Sequence, residues 1–214
     1  MFCSICNTNS PVSFHKPNYT IDKYTKQQII SGICYSVCPN CGCCFTLDEF
    51  TPETHNQSDK PRNLNNVNKI RLERIEHYGP ENIETVIDFG CGNGQFVDFA
   101  SVFFEEVIGI DQDTGIQLEM ISSDRVEVIN CVEVIEHLIN PKEVVNEFYR
   151  ILRNNGIVYL ESSFTDFLGN PEKAGYIDPN IGHVLVHSRK SIEMLFGKFE
   201  AKWLNQNVVV FKKV

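Results

Sequence analysis

From about residue 66 onward, short strand-like apolar runs alternate with stripes of helical period. Thr85–Phe89 is a run of strand formers. After three glycines, the positions Phe96, Phe99, Ala100 and Phe103 recur with the helical repeat. A second strand is predicted over Glu106–Ile110, a further one over Val126–Asn130, broken by Glu127, and another over Ile157–Glu161. Between the last two, Asn140 caps a helix, Pro141 occupies its first turn and Glu143 completes a capping box. Val144, Val145, Phe148, Ile151 and Leu152 form its stripe, and Asn154-Asn155-Gly156 closes it with a left-handed turn. An earlier helix is predicted from Asn66 to His77, with Val67, Ile70, Arg71, Ile75 and Tyr78 near one face and Gly79-Pro80 as its stop. A short helix through Phe196 and a hairpin of Lys202–Leu204 and Val208–Lys212, with Trp203 as a core residue, follow. Strands alternating with helices predict an α/β domain with a mostly parallel sheet. Only fifteen residues lie between Asp111 and Glu127, too few for a full helix and a third strand. Either that helix is lost, or the strand is very short, near Ile116–Ile121.

Gly90, Gly92 and Gly94 sit where the first of these strands hands over to a helix. A tight turn there needs positive φ and no Cβ, so that a ligand can lie on bare backbone. The N–H groups that open the helix face the same place. The spacing lacks the Lys-Ser/Thr of a phosphate loop and misses the dinucleotide G-x-G-x-x-G by one residue. No Lys or Arg lies between Asn82 and Val107, which disfavours a triphosphate. Asp88 just before the glycines suits a ligand bearing ammonium and sulfonium charges. Asp111, ending the next strand, is placed to accept from two ribose hydroxyls.

The net charge of −9 argues against non-specific binding to nucleic acid or to an anionic membrane. No apolar run approaches a membrane span, and the first residues do not resemble a signal peptide, so a cytoplasmic protein is expected. Seven of the nine cysteines fall within the first 44 residues. In a reducing compartment such clustering points to metal. Cys3/Cys6 and Cys38/Cys41 form two C-x-x-C pairs with thirty-one residues between Cys6 and Cys38, the pattern of a structural zinc ribbon. Cys43 or Cys44 is the alternative to Cys41, an iron–sulfur cluster is the alternative to zinc, and Cys34 and Cys44 read as small buried hydrophobes. The expected organisation is a ribbon over residues 1–50, a polar linker over 51–65 and an α/β domain over 66–214.

The run D-x-G-C-G-x-G at Asp88–Gly94 resembles the first motif of class I S-adenosylmethionine (SAM)-dependent methyltransferases. E-V-I-E-H-L at Glu133–Leu138, with Asn140-Pro141 beyond, resembles the segment after the fourth strand in the ubiquinone and small-molecule group of that family. The run from Glu147 to Ser163 resembles the family's next helix, turn and fifth strand. The resemblance covers about residues 66–214, and the ribbon resembles those fused to some members. It implies a Rossmann-like, mostly parallel seven-stranded sheet and SAM as cofactor, held by Asp88, Gly90, Cys91, Gly92, Gly94, Asp111, Gln112, Asp124 and Cys131. Gln112 would lie beside the adenine, and Asp124 is the candidate for its edge.

Glu133, Glu136 and His137 fall at i, i+3 and i+4, and would share a face if that stretch is helical. His137 is the candidate general base, since imidazole titrates near neutrality. Ser162–Pro179 follows the fifth strand, where substrate-binding insertions occur, and His183 lies on a later loop that could approach the same place. Three functions stay open. The first is methylation, by an O-methyltransferase, of a small-molecule or carrier-linked acceptor. The second is a metal-dependent enzyme resembling the small-RNA 3′-terminal 2′-O-methyltransferases, with an ion on Glu133, Glu136, His137 and His183. The third is a non-catalytic adaptor whose ribbon binds a partner. The sequence is silent on oligomeric state.

Overall fold

The computed structural model describes residues 2–21, 28–46, 48 and 65–214. The linker expected over 51–65 lies outside them except for Asn65, where a helix begins. The chain divides into two compact units: Met1–Asp59 with Glu136–Asn140 and Ser163–Leu195, and Lys60–Ile135 with Pro141–Ser162 and Phe196–Val214. The unit containing the N-terminus is therefore wider than the first fifty residues, because two later segments belong to it.

In the first unit, β1 (Phe14–Ile21) and β2 (Gln28–Val37) pair antiparallel, and β3 (Cys44–Phe45) continues the sheet beside β2. The fourth strand of this sheet comes from far along the sequence (Leu185–Val186, β8 in chain order) and pairs with β3. Two small apolar clusters fill the unit. One surrounds Cys3, Cys38, Cys41, Phe45 and Leu185, the other Phe14, Tyr35, Cys44, Ile177 and Val186.

The second unit opens with α1 (Asn65–Tyr78), then β4 (Thr85–Phe89), α2 (Gln95–Ala100), β5 (Glu106–Ile110) and β6 (Val126–Val132). It continues with α3 (Pro141–Ile151) and β7 (Leu152–Glu161). A helix of the first unit, α4 (Arg189–Leu195), follows β8, and the chain closes with β9 (Phe199–Trp203) and β10 (Val208–Lys213). The sheet order is β5-β4-β6-β7-β10-β9. The first four strands are parallel, and β10 runs antiparallel to both its neighbours. This is the class I methyltransferase plan, with six strands among the described residues where seven were expected. Only a single-turn 3₁₀ segment, Leu118–Met120, stands where the third strand would come.

Strand alternation sets the layers. Val86 joins Ile75 of α1 and Phe96 and Ala100 of α2 in one core, and Phe89, on the other face, meets the Phe148 ring of α3 edge-on at 5.0 Å. α1 turns Asn68, Leu72 and Ile75 inward and leaves Val67 and Ile70 exposed, a rotation from the expected face. The reason is polar: Arg71 Nε reaches Glu161 Oε2 at 3.3 Å, and Arg74 donates to the Tyr159 hydroxyl. α2 stops at Ala100, so Phe103 is exposed rather than part of the stripe. Asn155 does take the left-handed turn, at φ 66°, but Leu152 already pairs with Val126 as the first residue of β7. Trp203 is half-buried.

Candidate active site and thiol cluster

In the second unit the strands β4, β5, β6 and β7 end together at one edge, and the chain order reverses beside β4, which has β5 on one side and β6 on the other. Ligands of open α/β sheets bind in such a crevice. Gly90, Gly92 and Gly94 all have positive φ, at 78°, 53° and 79°. A Cβ on Gly90 would lie 2.1 Å from Val134 Cγ2, whereas nothing lies within 4 Å of that position on Gly94. The turn thus packs tightly at its base and is open at its crest. Gly90 N–H donates to the Ile110 carbonyl at 2.7 Å, which locks the turn to the end of β5.

Asp111 completes the arrangement. Its Oδ2 accepts from Gly92 N–H at 2.8 Å and its Oδ1 from Gln112 N–H at 2.7 Å. Each oxygen keeps a further lone pair for an incoming donor. Asp88 is buried, and burial pushes its carboxyl up to about 6, against the pull of the Asn130 amide and the Arg71 guanidinium. Asn130 Nδ2 donates to Asp88 Oδ1 at 2.7 Å, while Asn130 Oδ1 is a buried acceptor with no hydrogen-bond partner. These groups fit a nucleoside with a cationic amino-acid tail: hydroxyl acceptors at Asp111, bare backbone at the crest, and acceptors at Asp88 and Asn130. Cys91 is half-buried beside the glycines, Cys131 is buried near the end of β6, and Gln112 is exposed.

Asp124 stands elsewhere. It precedes β6, at the edge opposite the glycine turn, and pairs with Lys213 Nζ at 2.9 Å. An acid there cannot meet a ligand lying over the carboxyl ends of the strands. Glu133 has left-handed backbone, φ 53°, and its N–H donates to the Glu161 carbonyl. The helical face expected for Glu133, Glu136 and His137 does not form, because β6 ends in this turn and only Ile135–His137 coils, as a 3₁₀ turn.

In the first unit, Glu136, His137 and His183 bring one ligand atom each within 4.8 Å of one another, and Glu133 is not in that group. Glu136 is fully buried and accepts a short hydrogen bond from the Tyr176 hydroxyl. His183 Nδ1 donates to the Tyr176 carbonyl at 2.5 Å, and its Nε2 lies 3.9 Å from Glu136 Oε1. His137 Nδ1 donates to the Gly182 carbonyl at 3.1 Å. A carbonyl can only accept, so each Nδ1 carries a proton, and whenever the ring is neutral its lone pair is on Nε2.

The same unit gathers the thiols of Cys3, Cys6, Cys38 and Cys41 within 4.8 Å. The two C-x-x-C turns have the same construction. Asn7 N–H returns to the Cys3 carbonyl and Gly42 N–H to the Cys38 carbonyl, both at 2.8 Å, with Asn7 and Gly42 left-handed. Sγ separations of 3.6 Å (Cys3–Cys41) and 3.5 Å (Cys6–Cys38) approach the edge of a tetrahedral S₄ shell with bonds of about 2.3 Å. Burial pushes Cys41 up to about 12. Burial also acts upward on Cys6, but hydrogen bonds from Thr8, Cys38 and Asn40 outweigh it and draw that thiol down to about 6. A divalent cation is what would hold all four as thiolates.

Fold and glycine-turn geometry together are those of a class I SAM-dependent methyltransferase domain. The methyltransferase-domain family model matches residues 51–204, and the chain belongs to that family. Among curated proteins it is similar to a ubiquinone biosynthesis O-methyltransferase of Albidiferax ferrireducens, 27% identical over 125 residues, covering 47% of this chain and 50% of that one. A protein of the same name from Nitrosomonas europaea is 26% identical over 145 residues, covering 54% and 61%. The chain thus spans about half the length of the curated relatives it matches. Among solved structures, SAM-bound CalS10, an amino pentose methyltransferase from Micromonospora echinaspora, superposes with a TM-score of 0.55 at 12% identity, over 72% of this chain and 93% of that one. A SAM-dependent methyltransferase from Archaeoglobus fulgidus gives 0.52 at 16% identity, over 70% and 94%. These likenesses concern the fold alone. No helix among the described residues is long and apolar enough to cross a membrane.

Asn130, Arg71 and Tyr176 were not singled out from the sequence. Asn130 had one legible signal, a polar residue inside an apolar strand; Arg71 was read only as part of a helix face, and Tyr176 not at all.

Proposed function

We propose that the protein transfers the SAM methyl group to a hydroxyl of a small-molecule or carrier-linked acceptor. Asp111 holding the glycine turn through Gly92 N–H carries the reading, because it presents a carboxylate to two vicinal hydroxyls beside bare backbone. SAM, when bound, supplies an electrophilic methyl on sulfur. The turn Gly90–Gly94, with Cys91, Gln112 and Cys131 around it, would hold the nucleoside. Asp88 and Asn130 would take the ammonium, and Arg71, which is mostly buried, its carboxylate. His137 would remove the acceptor proton through Nε2, since Gly182 keeps Nδ1 occupied. The names of the curated relatives support oxygen as the atom methylated and a small molecule as its bearer.

Cys3, Cys6, Cys38 and Cys41 bind one zinc ion in this reading, in the unit that the N-terminal segment forms with two later stretches of chain. A second reading has a specific observation behind it. Glu136, His137 and His183 present a carboxylate and two Nε2 lone pairs to one point, with both Nδ1 atoms fixed by carbonyls, as metal-ligating histidines are. An ion there would polarise the acceptor oxygen, the chemistry of the metal-dependent alternative.

Incubation with methyl-labelled SAM and acceptors grouped as catechols, sugars, carrier-linked hydroxyls and RNA 3′ ends tests the choice. Label in a small hydroxyl acceptor, resistant to a chelator that spares zinc, is the expected result. Label confined to RNA, or transfer abolished by that chelator, favours the metal-dependent reading. Binding of S-adenosylhomocysteine without transfer to any acceptor favours an adaptor.

A further inference from the structure

The thiol cluster and the Glu136–His137–His183 group belong to one unit, and short backbone pairings run from one to the other. Cys38 N–H donates to the Cys43 carbonyl at 2.8 Å, so the second C-x-x-C turn delivers the chain straight into β3. There Cys44 pairs with Val186 and Phe45 with Leu185. Thr46 N–H donates to the Val184 carbonyl at 3.0 Å, and Val184 N–H donates to the Glu136 carbonyl at 3.0 Å. The same β2–β3 piece carries Tyr35, fully buried, whose hydroxyl donates to the His183 carbonyl at 2.7 Å. Side chains repeat the link at the turn itself: Ser188 donates to the Cys41 carbonyl, Thr165 to the Gly42 carbonyl at 2.9 Å and Lys190 to the Asn40 carbonyl at 2.7 Å.

β3 and β8 are two residues each. A pair so short has little stability of its own, since isolated two-stranded pairings are marginal even when longer. β2 holds the other side of β3, the turn before it sets where β3 begins, and a bound ion would fix that turn. We propose that the four-thiol site is the positioning device of the Glu136–His137–His183 group, acting through the β3–β8 pairing and through Tyr35 as a positioning residue. The inference rests on the zinc reading above and deepens it: the ribbon sets the ring orientation of His183 and the main chain of Glu136. Its ion has no part in the chemistry.

The test uses the full-length ¹⁵N-labelled protein. Zinc content is measured by elemental analysis, and ring tautomers are read from long-range ¹H–¹⁵N spectra, with His183→Gln and His137→Gln as assignments. Zinc-loaded protein should show both rings as the Nδ1–H tautomer. Stripping the zinc should broaden or mix both signals and restoring it should recover them, while the Kd for S-adenosylhomocysteine stays within threefold. Tyr35→Phe should keep one zinc per chain yet move the His183 ring signal, which an unrelated packing role would not do. Zinc present, and both histidine spectra unmoved by its loss, would overturn this proposal alone. So would a Tyr35→Phe protein with an unchanged His183 signal, or loss of S-adenosylhomocysteine binding together with the histidine signals. Protein purified without zinc removes the zinc reading and this inference together.

Discussion

The glycine turn and the thiol turns solve the same geometric problem by opposite means. Both place left-handed residues at a sharp reversal, Gly90 to Gly94 in one and Asn7 and Gly42 in the other. The glycine turn is held by a six-stranded sheet, with Ile110 and Asp111 of the neighbouring strand bonded to its N–H groups. The thiol turns have small cores and a two-residue strand beside them. Burial holds the first without a ligand. In the zinc reading the second depends on its ion, so removing the ion should loosen the thiol turns.

The largest expected effect breaks the thiol side. Cys38→Ser should abolish zinc retention and remove on the order of 10 kcal/mol of zinc-linked folding energy. Elemental analysis together with a thermal melt checks this; a variant that keeps both zinc and Tm would overturn the ligand assignment. Cys43→Ser should leave the zinc in place, and serves as the internal control.

Next in size is His137→Ala, which should lower turnover about 10²–10⁴-fold with little change in SAM affinity. A matched fall in affinity and turnover would make the histidine a brace for its loop. On the sheet side, Gly90→Ala should destabilise by about 3 kcal/mol, through left-handed strain and the clash with Val134, and a denaturant melt reads it. Asp111→Ala should weaken S-adenosylhomocysteine by about 1–3 kcal/mol in calorimetry, from lost charge-assisted hydrogen bonds. Unchanged affinity would refute the ribose assignment.

The smallest effect follows from Asp88, whose folded pKa of about 6 stands above the ordinary carboxylate value of 3.8. The folded state therefore binds the proton more tightly. That contribution is complete below about 4, declines as pH rises through 6, and is gone above it. Asp88→Asn should remove this pH dependence from the stability curve between 4 and 6. SAM affinity should move the other way in the parent protein, falling as pH drops through 6, because a protonated carboxyl attracts the cationic tail less.

Features written in consecutive residues were legible. The strand at Thr85–Phe89, the three glycines and Asp111 carry their own period and turn chemistry. The helix beginning at Pro141 was equally plain. Long-range partners were not. Nothing in Leu185–Val186 marks it as the mate of Cys44–Phe45, because two residues have no period. Val67 and Ile70 suggested the wrong face of α1, since Arg71 and Asn68 were drawn inward by Glu161 and by each other. Glu127 looked like a break in its strand. It accepts from the N–H groups of Glu84 and Thr85 and pairs with Arg153, which makes it a buried fastening of the sheet. Helical spacing misled at Glu133, where the strand's end consumed the residue that would have begun a helix.

The division of the first unit among three stretches of chain has a consequence for synthesis. Its cysteines leave the ribosome first, yet Leu195, the last residue of that unit, follows Cys44 by 151 positions. At ordinary elongation rates the gap is roughly 8–30 s. Throughout it, the thiols and the β3 edge lack their eventual neighbours, while much of the second unit is already being made. A nascent chain of this design should be most vulnerable to oxidation and mispairing early, and early capture of an ion would shorten that exposure.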